Sequence, residues 1–226
     1  MASRILTWRT LAGLLGLGLG LSLAACGGSQ KHPAAKATTP ATPPALRPGG
    51  TSKLVQYLLK DGEGGFTPFS VAVDQPTVTD WMKSSQSTPA DARRVVQEGF
   101  RDALQQQTAT ATGGSGLDFV LELGSATAAR HEEAVELTED IAEQGHVRVS
   151  RFTVAGIPRS EGISASEGKR GSAANVLFTV GRCLILVGNG GVDPRYKTDV
   201  IAGARALYRR TAHAAGPCTA GGLLQV

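Results

Sequence analysis

Aromatic side chains are scarce in this chain, at 5% of 226 residues, and it has only four histidines and three cysteines. So few rings leave no stacking platform for nucleic-acid bases. His131, His146 and His213 are never three or four positions apart, so no helical histidine pair for zinc is present. His131-Glu132-Glu133 is not a His-Glu-x-x-His motif. No Asn-x-Ser/Thr sequon occurs. A serine hydrolase of the Gly-x-Ser-x-Gly kind is not indicated. Gly113-Gly114-Ser115-Gly116 and Gly162-Ile163-Ser164-Ala165-Ser166 both miss that pattern. Gly168-Lys169-Arg170-Gly171-Ser172 lacks the spacing of a phosphate loop, and Gly188-Asn189-Gly190-Gly191 lacks its lysine. Both runs read as turns between strands, where glycine supplies positive φ at little cost. No catalytic residue, metal site or cofactor is expected.

Acidic residues are missing altogether from the first 50 positions, which hold Arg4, Arg9, Lys31, Lys36 and Arg47. Taking those five from the 23 Lys+Arg leaves 18 against 19 Asp+Glu over 51–226, a formal charge of −1. The basic pI near 9.1 therefore belongs to the N-terminal region. A nucleic-acid binder carries its positive charge on the folded part, so nucleic acid is not an expected partner.

The N-terminal region reads as an export signal. Met1–Thr10 is basic, and Leu11–Leu23 is an apolar run of 13 residues. A membrane-spanning helix needs ~20, whereas a short run with basic flank and small residues after it makes a signal peptide. The run exits through Leu23-Ala24-Ala25-Cys26-Gly27. This resembles the lipobox of bacterial lipoproteins. The resemblance implies a diacylglyceryl group on the Cys26 thiol, cleavage before Cys26, and a protein anchored on the extracytoplasmic face of the cell membrane. Two acyl chains hold a protein stably where one does not. From Gly27 to Gly50, Pro33, Pro40, Pro43, Pro44 and Pro48 alternate with Ala, Thr, Ser and Gly. Such a stretch has too little apolar surface to fold on its own. Its reach is roughly 30 Å as a coil and up to ~75 Å extended. Three parts are expected: a signal peptide over 1–25, the lipidated cysteine and a disordered linker over 26–50, and one domain over 51–226.

Within the domain, Ser52–Leu59 reads as helical and Phe66–Val73 as a strand. Thr88-Pro89-Ala90-Asp91 supplies a cap, a first-turn proline and an acid for a helix with a stripe of Ala92, Val96, Phe100 and Ala103. Thr108–Gly116 reads as a loop. Leu117, Phe119, Leu121 and Leu123 alternate, which predicts a strand with one apolar face. A helix beginning near Ser125 has the stripe Ala134, Leu137 and Ile141. Glu132, Glu133, Glu136, Glu139, Asp140 and Glu143 are then expected on its solvated face. Strands are expected over His146–Val154, Gly162–Ser166 and Ala174–Val187, the last broken at Gly181-Arg182. Asp193-Pro194 starts a final helix with Val200, Ile201, Ala204, Leu207 and Tyr208 inward. The expected class is α+β, three or four helices on a mainly antiparallel sheet of five or six strands.

This order of elements, with Val154-Ala155-Gly156-Ile157-Pro158 and Phe178-x-x-Gly181, resembles uncharacterised envelope lipoproteins of high-GC Gram-positive bacteria with a PsbP/Mog1-like sandwich. The resemblance implies an envelope-exposed interaction or ligand-binding module. With Cys26 assigned to lipid, Cys183 and Cys218 form an even pair in an oxidising compartment, and a disulfide between them is expected. The first functional reading is a membrane-anchored, non-catalytic interaction module contacting an envelope protein or cell-wall polymer. The second is a carrier or receptor for a lipid or small apolar ligand. The third is an unrecognised hydrolase.

Overall fold

The computed structural model describes residues 52–70, 72–85, 87–143, 147–166 and 171–219. The expected signal peptide, Cys26 and the expected linker lie outside them. Among the described residues the chain forms β1 (Phe66–Pro68), β2 (Val73–Asp74), α1 (Val78–Ser85), α2 (Pro89–Gln97), β3 (Asp102–Thr110) and β4 (Ser115–Glu122). It continues with α3 (Ala126–Glu143), β5 (Arg148–Phe152), β6 (Glu161–Ser166), β7 (Ser172–Val180), β8 (Cys183–Gly191) and α4 (Tyr196–Thr211). The class is α+β, as expected, with an eight-stranded sheet instead of five or six strands.

All pairings are antiparallel, in the order β1-β3-β4-β8-β7-β6-β5, with β2 also on β3. Alternation along the strands divides the core in two. Val120, Ile185, Val187, Val176 and Phe178 face α4 and the N-terminal segment. Phe119, Leu121, Leu184, Leu186 and Leu177 face the other way, with Trp81, Val95 and Ala129 packed against them. The result is a sheet with helices on both faces.

Three expectations are corrected. The helix from Thr88 is buried through Ala92 and Val95, Val96 is exposed, and Ala103 belongs to β3. Gly99, at φ 77, turns the chain away from the helix before Phe100. Thr108 and its neighbours are strand, not loop, because β4 pairs with every residue from Asp102 to Ala109. Gly188–Gly191 is the end of β8, not a turn. A Cβ at Gly188 would stand 2.6 Å from Asn175 Oδ1, so the glycine makes room for a cross-strand amide.

Gly181, at φ 55, opens a two-residue turn that joins β7 to β8 with Val180 opposite Cys183. The expected disulfide is present: Cys183 and Cys218 are bonded, with Cα atoms 5.1 Å apart. Arg182 N–H also donates to the Cys218 carbonyl at 2.9 Å, so the segment after α4 is pinned to the sheet. A loop of this length contributes roughly 3–4 kcal/mol on the chain-entropy account. At this same C-terminal end of α4, Arg210 donates to both carboxylate oxygens of Glu63, at 2.9 and 2.8 Å, and to the Leu58 carbonyl at 2.6 Å.

Candidate ligand-binding groove

α3 leaves the centre of the sheet after β4 and must reach the far edge, where β5 begins. It packs over β7, β8 and β6 and leaves a groove of about 320 Å³ beside the last two strands. Its apolar lining comes from the helix: Ala134, Leu137 and Ile141, one stripe at spacings of three and four. Its charged lining, here called the rim, is Arg130 and the buried Glu133 from α3, Arg151 and Glu161 from β5 and β6, and Arg159 from the loop between those strands.

The loop fixes Arg159. Val154 and Ile157 are buried against the α4 side of the sheet, and the Val154 N–H donates to Ser160 Oγ at 2.8 Å. Ile157 N–H closes a turn on the Val154 carbonyl at 3.0 Å. With both ends tied down, the chain passes through Gly156 at φ 89 and Arg159 at φ 57. Arg159 is the one non-glycine residue with positive φ among the described residues. Such a backbone is uncommon for a long side chain and is worth notice beside a groove.

Arg151 donates to Glu161 Oε2 at 3.1 Å, in an exposed pair. Arg130 reaches Thr127 Oγ1 at 3.2 Å. Glu133 is buried, and its Oε1 finds no hydrogen-bond partner. Burial first, and then the nearby Glu161, push its pKa up to about 7 against the pull of Arg130. Near neutrality this carboxyl is therefore only partly ionised, and the rim carries net positive charge. The groove's hydroxyl, Thr138 Oγ1, is already engaged, donating to the Ala134 carbonyl at 2.8 Å. The groove offers guanidinium donors for an anionic group beside an apolar stripe.

The acidic face of α3 is not solvated as the sequence suggested. Glu132, Glu133, Glu136 and Asp140 are all buried. Arg94, from α2, compensates part of this face. Its Nε and Nη2 donate to Glu132 at 2.8 and 3.1 Å, and its Nη1 meets Asp91 at 2.9 Å and Glu139 at 3.4 Å. Glu136 lies 3.8 Å from Nη2, and Asn175 Nδ2 donates to Asp140 at 3.4 Å. Burial, with Glu132 and Asp140 close by, raises the Glu136 pKa well above the ordinary range. The expected stripe is met in part: Leu137 is buried and Ile141 half-buried, but Ala134 is exposed, and Ala129 and the carboxylates take inward positions instead.

The remaining sequence candidates stay apart from the groove. Cys183 and Cys218 sit at the opposite side of the sheet, in the disulfide. Cys26 and His146 lie outside the described residues. His131 Nδ1 pairs with Glu98 Oε1, and His213 is exposed past α4. Among the described residues no three His, Cys, Asp or Glu side chains form a group that could hold a metal. Gly113, at φ 81, turns β3 into β4. Among the described residues no helix is long and apolar enough to cross a membrane.

No family model matches the chain. No curated protein matches it either. Among solved structures it is similar to the extracellular domain of PknH from Mycobacterium tuberculosis. The TM-score is 0.47 at 10% identity, over 73% of this chain and 98% of that one.

Proposed function

We propose that this protein is a non-catalytic interaction module of the cell envelope, anchored at the extracytoplasmic face through a diacylglyceryl group on Cys26, and that the groove beside α3 is its contact surface for an anionic partner. The observation that carries the contact surface is the convergence of Arg130, Arg151 and Arg159 around the half-neutral Glu133. Guanidinium groups hold carboxylates and phosphates through paired N–H donors. The lipobox at Cys26 and the proline-rich linker support a tethered domain free to meet partners beyond the bilayer. A carrier for a wholly apolar ligand fits less well, since Leu137 and Ile141 form an apolar stripe but the rim beside them is charged.

Inorganic tripolyphosphate serves as a generic anionic probe, titrated calorimetrically into the full chain in mild detergent. The Arg130→Gln/Arg159→Asn double variant should weaken binding by roughly tenfold or more, as loss of charge-assisted contacts does. Asn tolerates positive φ, so the loop is kept. Equal binding by both proteins would remove the groove from the reading.

A further inference from the structure

The groove opens toward β5, and β5 ends the sheet. Among the described residues β6 is its one strand partner. The five residues Arg148–Phe152 therefore turn one row of backbone N–H and C=O groups outward. An exposed row of this kind is a template for a further extended chain.

The two faces at this edge are unlike. On the α4 side, Phe152 lies across Gly162, where a Cβ would meet the ring at 2.4 Å, and Lys197 Nζ stands 4.1 Å above that ring. On the α3 side, Arg151 lines the groove with Arg130 and Arg159. Side chains of a strand alternate between faces. A strand laid along β5 would send every second side chain toward the three guanidiniums while its main chain pairs with the edge.

Charge selects the occupant. A second copy of this chain would bring β5 against β5 with the two copies of Arg151 close together on one face, and like charges across a strand pair are destabilising. Residues 27–50 of the same chain carry Lys31, Lys36 and Arg47 and no acid, so they are repelled as well. A polyphosphate satisfies the guanidiniums and leaves the main-chain row unused. We infer that β5 and the groove together receive an extended acidic peptide segment of another protein, added to the sheet as a new edge strand. This rests on the groove reading above and specifies its ligand. Arg151, which opposes pairing of the edge with itself, is one of the three guanidiniums that admit an acidic strand.

The test uses the full chain in mild detergent and a fluorescein-labelled decapeptide of alternating Glu and Val, followed by anisotropy. The Glu/Val peptide should bind and its Lys/Val counterpart should not. Arg130→Gln/Arg159→Asn should weaken binding roughly tenfold or more. Two further peptides carry N-methyl groups on alternate residues, one set each. A strand paired along one edge uses every second N–H, so one methylated peptide should bind like the parent and the other should fail. Hydrogen exchange at the β5 amides should slow when the parent is bound. If both methylated peptides match the parent while the arginine dependence holds, strand addition is wrong and the anionic groove stands. If tripolyphosphate binds in an arginine-dependent way and no peptide does, the peptide is wrong and the groove again stands. If neither probe binds, both readings fall.

Discussion

Asp118 is wholly buried on β4, with only neutral donors on its Oδ2: the Leu59 N–H at 2.6 Å and Gln106 Nε2 at 3.1 Å. Gln106 Nε2 also donates to the Leu59 carbonyl at 2.7 Å, so this pair of side chains ties the N-terminal segment to the sheet. Burial outweighs both donors and pushes the Asp118 pKa up to about 7. Its folded pKa thus lies above its unfolded one. The stability it contributes is complete below about pH 4 and is lost as pH rises through about 7, on the order of a few kcal/mol. Glu133 acts in the same direction over the same window. Asp91 is opposite: burial would raise it, but Thr88 and Arg94 hold it low, so its contribution is present above about pH 4 and lost below. The fold should be more stable at pH 5 than at pH 8. Asp118→Asn should narrow that gap in melting temperature without closing it, because Glu133 remains. An unchanged gap in circular-dichroism melts would refute the assignment. Nothing in the sequence marks Asp118. It stands in Leu-Asp-Phe-Val-Leu, where alternation correctly puts it opposite the leucines but leaves open whether that face meets water or a second helical layer.

At the scale of elements, Arg94 is the cation that joins α2 to the buried acids of α3. Arg94→Ala leaves Glu132 and Glu136 buried without their partner, and the cost should be about 3–5 kcal/mol in urea unfolding. Arg94→Met combined with Glu132→Met should recover much of that loss, since apolar groups of similar volume replace buried ion pairs well. A single variant that loses less than about 1 kcal/mol would show that the network contributes little. The elements were unevenly legible. α2 announced itself, and its capping box is present: Thr88 Oγ1 accepts from the Asp91 N–H, and Asp91 accepts from the Thr88 N–H. α1 carried a similar cue, Thr77 capping the Asp80 N–H with Trp81 buried behind it, which the sequence reading passed over. β3 was harder. Gln105, Gln106, Gln107 and Thr108 have no apolar alternation, and they become a strand because β4, β1 and β2 pair with them. Phe66–Val73 was read as one strand and is two short ones. Between them Phe69 N–H bonds the Gln107 carbonyl and Ser70 Oγ accepts the Gln107 N–H, which interrupts the ladder.

At the scale of the molecule, the proposed anchor and the proposed contact edge, β5 with the groove, are tested separately. Cys26→Ser tests the anchor: the protein should leave the membrane fraction and lose its acyl label. Unchanged membrane retention would sink the lipobox. What the sequence determined by itself was local. The expected leader, lipobox and linker rest on a few adjacent residues, since signal recognition and thiol acylation act on a short stretch of chain, and they stand as proposals. The leucine alternation of β4, the caps of α2 and the pairing of the last two cysteines are likewise matters of spacing and elimination. Tertiary structure decided which charges meet water. It buried Glu132 and Glu136 of α3 beside Arg94, which arrives from another helix. It also set Arg130, Arg151 and Arg159 around one groove, because α3 crosses the sheet to reach the edge where β5 begins. Burial and convergence depend on what lies across the sheet, and sequence spacing carries no record of that.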